Sequence, residues 1–253
     1  MHGRANRGWR ARRLPGEEID GRQRVGVFAT TETGRCLADS DGARHNDHHE
    51  SDITMRRRHC EITDPVELKA VLAAALIGRM ATNGSDGYPY VTPVNFVYDR
   101  GRIYFHCALK GEKLDNIARD PRVCFEVDLP LATIDLDAIP EGGACKLHQF
   151  YHSVVIRGEA RVLPDGEQKA AALNALVAKH EPGRAFTPVD ARMPACRACA
   201  VVEIEPRRMT GKSDLAQNKS PDERLALARY LVKRNRPGDR ETVTAMGFEP
   251  DQI

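Results

Sequence analysis

A short basic segment directly after a predicted β-hairpin is the part of the sequence best suited to chemistry. It runs from Lys110 to Lys113, contains a glycine between its two lysines, and is followed by Leu114 and Ile117 at helical spacing. The first backbone N–H groups of a helix have no partner within the helix, and the helix dipole adds partial positive charge there. Such a helix start beside two ammonium groups suits a phosphate. The sequence therefore predicts a phosphate-binding turn.

The hairpin that positions this turn is predicted from alternating residues. Apolar side chains alternate over 94–98 and again over 103–107, and the segment from Asp99 to Gly101 between them has turn chemistry. His106 and Cys107 close the second arm, just before the basic segment. The hairpin should therefore bring both residues close to the predicted phosphate.

The remaining periodic segments predict more strands than helices. Strands are expected at 79–83, 88–99, 103–107, 122–127, 147–163 and 200–205. Helices are expected from Pro65 to a stop at Gly78, over 167–180, and after Ser220, with capping boxes at Asp64/Glu67 and Ser220/Glu223. Pro89 and Pro93 indicate a strand edge or bulge. An irregular segment containing Pro130, Pro140, Gly142 and Gly143 is expected to be a long loop.

The order of these blocks resembles the pyridoxamine 5′-phosphate oxidase-like FMN-binding split-barrel superfamily, especially its nitroimidazole-resistance branch. The resemblance covers roughly residues 55–212 and rests on PYVTPVNFVYD, GRIYFHCA, GEKLDNI, RVCFEVD and YHSVVIRGEARVL. It implies a mainly β fold with peripheral helices, namely a six-stranded antiparallel split β-barrel. It also implies a homodimer that holds FMN at the subunit interface.

The resemblance assigns roles to individual residues. Lys113, in the block from Gly111 to Leu114, is expected to contact the FMN phosphate, and main-chain groups over 94–96 are expected to follow the isoalloxazine. Tyr151 and Ser153 are expected near the ligand cleft across the dimer, and His106 is the candidate catalytic residue. The expected cofactor-binding residues are Val94, Asn95, Phe96, His106, Cys107, Lys110, Lys113, Tyr151 and Ser153.

Several of these residues also have purely structural interpretations. Taken alone, Lys113 is better explained as a solvated lysine at a helix start, and only the surrounding blocks favour phosphate contact. Asn95 is equally compatible with a polar residue satisfied within the sheet. A lone histidine such as His106 is more often structural than catalytic. Many relatives have serine at the position of Cys107, and a thiol is only a weak hydrogen-bond donor.

By resemblance, the leading function is an FMN-dependent oxidoreductase of the nitroimidazole-reductase type. A reduced nicotinamide would supply electrons to the flavin, and a small acceptor would receive them. One alternative is a non-catalytic flavin-binding or haem-binding protein, with His106 or His152 facing the haem. Another is an unliganded dimeric interaction domain. The arginine-containing substrate block of true oxidases is not apparent beyond Lys212.

Composition excludes several classes of partner. The 253 residues are 41% hydrophobic and 29% charged, and a net charge of +2 gives no strong field for nucleic acid or an anionic membrane. The longest apolar run, 71–77, is too short to cross a bilayer, so a cytoplasmic location is expected. Seven cysteines, an odd number, indicate reduced thiols, and no metal is expected at the lone Cys196-x-x-Cys199 pair.

Both ends of the chain differ from the middle. Residues 1–54 contain no lysine and no periodic apolar segment, which predicts a disordered extension and makes Met55 a candidate native start. The arginines at 4–13 would form an anion-binding arm only as a less favoured alternative, and the cluster His45, Asp47, His48 and His49 only a weak metal site. Residues 213–253 are expected to form a C-terminal helix and a loosely held tail.

Overall fold

The computed structural model describes residues 55–138 and 147–253, which contain eight strands and six α-helices. The strands are β1 (Glu61–Ile62), β2 (Ile77–Asn83), β3 (Pro89–Asn95), β4 (Val97–Asp99), β5 (Arg102–Cys107), β6 (Arg122–Ile134), β7 (His148–Val162) and β8 (Ala200–Asp214). The helices are α1 (Pro65–Ala74), α2 (Glu112–Arg119), α3 (Glu167–His180), α4 (Pro194–Arg197), α5 (Pro221–Arg234) and α6 (Asp239–Ala245). The predictions for residues 1–54 and for Pro140, Gly142 and Gly143 lie outside the described residues.

The strands form one antiparallel sheet whose two end strands are consecutive in the chain. The order is β3-β2-β6-β7-β8-β5-β4, and β1 pairs with β8. β3 and β4 stand at opposite ends of this order, yet only Phe96 separates them in sequence. The chain therefore links both ends of the sheet through Phe96. A mainly β fold with peripheral helices is confirmed, and this topology is consistent with a split barrel.

The expectation of six strands is wrong, because the predicted strand over 88–99 breaks at Phe96 and the short β1 is added. The Phe96 ring is fully buried, with its centroid 5.0 Å from that of Phe125 in an edge contact. The Phe96 carbonyl accepts a hydrogen bond from Nε2 of His180 at 3.2 Å instead of joining a strand ladder. Tertiary contacts thus interrupt a segment whose local pattern is continuous.

Two other strands are longer than predicted. Each continues past a proline, because the proline lies at an irregularity of the ladder. β6 continues beyond Val127 to Ile134, and its pairing with β7 shifts register after Pro130. β8 continues beyond Glu205 to Asp214, and a second register shift places Gly158 of β7 opposite Pro206. A bulge tolerates a residue that cannot donate to the ladder. The first part of the predicted long loop is therefore strand.

Helix α1 begins as predicted but ends earlier. The Asp64 side chain accepts a hydrogen bond from the N–H of Val66 at 2.8 Å, whereas Glu67 does not complete the expected capping box. The helix ends at Ala74, and Gly78 lies within β2. A Cβ at Gly78 would lie only 2.0 Å from Cζ of Phe125. Gly78 is therefore needed for close packing in the barrel and not as a helix stop.

Three apolar clusters hold the helices on the sheet. The main cluster lies inside the barrel and includes Phe96, Phe105 and Phe125. The second lies under α5 and α6, where Leu231 and Val243 are fully buried. The third lies under α3. The C-terminal residues are therefore packed on the sheet, and the expectation of a loosely held tail is wrong.

Candidate functional site

The segment from Lys110 to Lys113 lies between β5 and α2, as the sequence predicts. Gly111 is the N-cap residue with φ 143°, and a Cβ at this position would meet no atom within 4 Å. Among the described residues no side chain caps this helix. Lys113 is half-buried and Lys110 is exposed. The helix start is therefore open to a ligand.

Lys113 also lies close enough to Cys107 to influence its ionisation. Burial raises the pKa of the Cys107 thiol above its usual range, and the charge of Lys113 opposes this effect without cancelling it. Two carboxylates in the first turn of α2, Glu112 and Asp115, reduce the local positive charge. The end of β5 and the start of α2 therefore combine one half-buried ammonium group, that of Lys113, with the neutral thiol of Cys107.

His106 lies on the opposite face of β5 from Cys107. Cys107 packs against the main core, whereas His106 is exposed and lies opposite Val201 of β8. Neighbouring residues of a strand point to opposite faces of the sheet. The structure thus brings together Cys107 and Lys113 but directs His106 towards the side covered by α3.

The three expected residues of the isoalloxazine strand have different environments. Val94 is half-buried against the main core, Asn95 is exposed, and both lie in β3. β3 is the end strand of the sheet order, so one of its edges has no strand partner within the described residues. The Phe96 side chain is fully buried and its carbonyl is bonded to His180, so Phe96 is a core residue.

Tyr151 and Ser153 lie far from Lys113 along the sheet. β8 pairs Ala200 with Cys107 at its first residue and Asp214 with Tyr151 at its last. At a rise of about 3.3 Å per residue, these ends are separated by about 45 Å of strand path. Lys212, opposite Ser153, has its ammonium nitrogen 5.2 Å from the centroid of the Tyr151 ring. Cys107 thus lies beside the first residue of β8, whereas Tyr151 lies beside its last residue.

His152, the possible haem-facing residue, has a buried ring nitrogen. Its Nδ1 atom has no hydrogen-bond partner among the described residues, and the same is true of Oγ of Ser213, which lies opposite in β8. Burial lowers the pKa of His152, and the negative charge of Glu67 opposes this only in part. His152 therefore favours the neutral imidazole form, which is the form that ligates metals.

The family follows from a comparison with known proteins. A family model described as pyridoxamine 5′-phosphate oxidase matches residues 64–213. The chain belongs to this family. The match begins at the N-cap of α1 and ends within β8. It therefore includes β2 to β7, all of β8 but its last residue, and the segment from Lys110 to Lys113.

Solved structures with a similar fold include a Bacteroides thetaiotaomicron protein named for 5-nitroimidazole antibiotic resistance. It is 25% identical with a TM-score of 0.51, over 60% of this chain and 85% of that chain. The flavocytochrome Anf3 from Azotobacter vinelandii is 23% identical with a TM-score of 0.55, over 68% and 78% of the two chains. The FAD and haem binding protein from Mycobacterium smegmatis is 19% identical with a TM-score of 0.52, over 66% and 78%. A search of curated proteins found no match.

These comparisons confirm the superfamily resemblance and its nitroimidazole-resistance branch.

In this member of the pyridoxamine 5′-phosphate oxidase family, the sequence did not indicate the support given to the bend at Phe96. Lys179 donates hydrogen bonds to the carbonyls of Leu72 and Ala75 at 3.0 and 2.7 Å. Lys179 lies in the last turn of α3, where basic residues are common, so no local signal distinguishes it.

The Cys196-x-x-Cys199 pair offers little support for a metal or redox site in this family member. Cys196 is fully buried in α4, a single helical turn, and Cys199 is half-buried with a pKa raised first by burial. Raised thiol pKa values oppose thiolate chemistry. Among residues 55–138 and 147–253, no group of three or more His, Cys, Asp or Glu side chains is placed to hold a metal ion.

Within the same residues, no helix has both the length and the hydropathy to cross a membrane.

Proposed function

We propose that this protein is an FMN-dependent oxidoreductase that resembles nitroimidazole reductases. The observation that carries the proposal is half-buried Lys113 in the first turn of α2, at an uncapped helix start, within a chain of the pyridoxamine 5′-phosphate oxidase family. The first N–H groups of α2 and the Lys113 side chain would hold the FMN phosphate, with Lys110 nearby. The free space before Gly111 supports this fit.

Main-chain groups at the open edge of β3, at Val94 and Asn95, would hold the isoalloxazine. A bound flavin accepts electrons as a hydride from a reduced nicotinamide and passes them to a small acceptor such as a nitroaromatic compound. The role of the chain is to orient the flavin and to limit its contact with water. His106 is the candidate proton donor in this proposal, and its side chain lies on the face of β5 opposite Cys107.

The protein acts as a homodimer in this proposal. Tyr151 and Ser153 lie at the far end of β8 from Cys107, so their expected contact with the flavin requires a second copy of the chain. One site then combines Lys113 of one copy with Tyr151 of the other. This arrangement matches the two-fold symmetry that most homo-oligomers have.

The proposal is tested by adding FMN to the purified full-length chain and following flavin fluorescence and visible absorbance. Stoichiometric binding is expected, followed under anaerobic conditions by bleaching of the flavin bands with a reduced nicotinamide and recovery with a nitroaromatic acceptor. If the chain binds FMN but a reduced nicotinamide does not bleach the flavin bands, the result would support the non-catalytic alternative. A chain that does not bind FMN would overturn the proposal.

Haem binding is a second candidate, and His152 is the observation that favours it. Its imidazole favours the neutral form and has an Nδ1 atom without a partner among the described residues. A Soret band after addition of haemin, lost in the His152→Ala variant and kept in His106→Ala, would support this function. Absence of the band in the wild-type protein would exclude it.

A further inference from the structure

A cavity lies at the opposite end of the sheet from Lys113. Its volume is about 760 Å³, and it lies between the ends of β6, β7 and β8 and the helix α5. Cavities of this size accommodate small-molecule ligands. Helix α5 and the 3-10 turn at Arg58–Cys60 are both outside the family match over 64–213. The cavity is therefore formed in part by residues outside the matched range.

One side of the cavity is apolar. Ile134 lies at its base and is 1% exposed, Leu147 is 48% exposed at its rim, and α5 contributes Leu227 and the ring of Tyr230. The Tyr230 hydroxyl is already used, because it donates to Oδ1 of Asp135 at 2.5 Å. This side thus offers apolar contact without a free polar group from Tyr230.

The other side of the cavity carries two acidic groups, of which Asp214 is the more fully engaged. Asp214 is 4% exposed, and its carboxylate lies 3.4 Å from Nη1 of Arg57 and 3.2 Å from Nε2 of His148. Burial, followed by the charge of Asp214, raises the pKa of the Cys60 thiol. Glu223 accepts bonds from the N–H and the hydroxyl of Ser220 at 2.9 and 3.0 Å. Asp214 therefore has little capacity left for a cationic ligand, whereas Oε1 of Glu223 has only the 3.7 Å contact with Lys219 and keeps some acceptor capacity.

The basic groups have capacity to spare. The Arg57 side chain is 49% exposed and gives Asp214 a single long contact, whereas a guanidinium carries five N–H donors. Lys219 is 39% exposed and lies 3.7 Å from Glu223, which leaves donors of its ammonium group for another acceptor. His59 adds an exposed imidazole to the same rim. The unused hydrogen-bonding groups of these side chains are therefore mainly donors on cationic residues.

We propose that this cavity binds a small organic anion with an apolar body, of the class of aromatic monocarboxylates. The ring lies against Leu147, Leu227 and Tyr230, and the carboxylate accepts hydrogen bonds from Arg57 and Lys219. Within one copy, the cavity lies at the far end of β8 from Ala200, the strand partner of Cys107, and so lies away from Lys113. Asp214 pairs with Tyr151, so the cavity adjoins the residue that this copy would contribute to the flavin site of its partner. The proposal does not depend on the proposed function.

The test uses 2-naphthoate as the probe and calorimetry on the full-length chain, with and without added FMN. A matched cation, 2-naphthylmethylamine, should bind at least about tenfold more weakly, because electrostatic complementarity sets specificity. Lys219→Gln should weaken naphthoate binding about two- to fivefold, as expected for a partly exposed ion pair. Arg57→Gln should weaken it at least as much. Lys233→Gln, on the exposed face of the same helix, should leave it unchanged.

The result is independent of flavin binding, because a failure to bind FMN leaves the naphthoate measurement intact. Lys113→Ala should not change the naphthoate affinity, whereas a loss would show that the probe occupies the other site and would overturn the proposal. Equal affinity for the amine, unchanged affinity in the Arg57→Gln/Lys219→Gln double variant, or no binding by the wild-type chain would each overturn it as well.

Discussion

The ammonium nitrogen of Lys179 lies 3.6 Å from the centroid of the Phe96 ring. Phe96 is the single residue between β3 and β4, and its carbonyl is bonded to the next residue of α3, His180. The end of α3 therefore fixes the bend that links both ends of the sheet. It also fixes the position of β3, along which the flavin is proposed to lie.

Replacing Lys179 with methionine should destabilise the fold by about 1–3 kcal/mol, because the carbonyls of Leu72 and Ala75 lose a charged donor in a partly buried position. Urea unfolding followed by circular dichroism measures this difference. Lys233→Met, a change of the same type at an exposed position of α5, is the control and should have little effect. Equal stability of the two variants would contradict the assigned role of Lys179.

The same residue predicts a dependence on pH. Burial lowers the pKa of Lys179 from 10.5 to about 8. Between these values the unfolded chain binds a proton that the folded chain has released, so the free energy of unfolding rises with pH across this interval. The stability of the wild-type chain relative to Lys179→Met should therefore increase from pH 8 towards pH 10.5. A constant difference over this range would show that the pKa is not lowered.

Lys113→Ala should weaken FMN binding by about 1.5–3 kcal/mol, the usual range for a hydrogen bond to a charged group. This corresponds to roughly a ten- to 150-fold rise in the dissociation constant, measured by quenching of flavin fluorescence. Lys233→Ala serves as the control, because it removes the same charge from an exposed helix position. An unchanged dissociation constant would remove Lys113 from the site.

Mixing two defective variants tests whether the flavin site is shared between two copies of the chain. Lys113→Ala and Tyr151→Ala chains should each bind FMN poorly when alone. Unfolding and refolding an equal mixture forms hybrid dimers in which one site carries both changes and the other carries neither, so about one quarter of all sites regain full affinity. No recovery would mean that both residues serve the same copy or that Tyr151 does not contribute.

Gly78→Ala should destabilise the barrel by about 1–3 kcal/mol through overpacking, since the added Cβ would lie 2.0 Å from Cζ of Phe125. Phe125→Leu frees space at this point. Thermal unfolding of the two single variants and the double variant forms a cycle in which the double variant should lose less stability than the sum of the single losses. Simple additivity would contradict this contact.

The sequence by itself determined the features that depend on neighbouring residues. Helix α3 spans Glu167–His180 as predicted, and Ser220 and Glu223 form the predicted capping box. Arg100 and Gly101, both with positive φ, form the tight turn of the hairpin. The order of these local patterns was also sufficient to identify the family, because each block keeps its own residue pattern. Whether Lys113 binds FMN remains a prediction.

Only the tertiary structure decided the features that depend on distant residues. Packing against Phe125 broke the strand at Phe96 and placed Gly78 within β2, although its local pattern favoured a helix stop. The register of β8 separated Tyr151 from Cys107 and made a second copy of the chain part of the proposed site. Local sequence specifies backbone conformation and the alternation of faces, whereas register and burial are set by contacts between residues far apart in the chain.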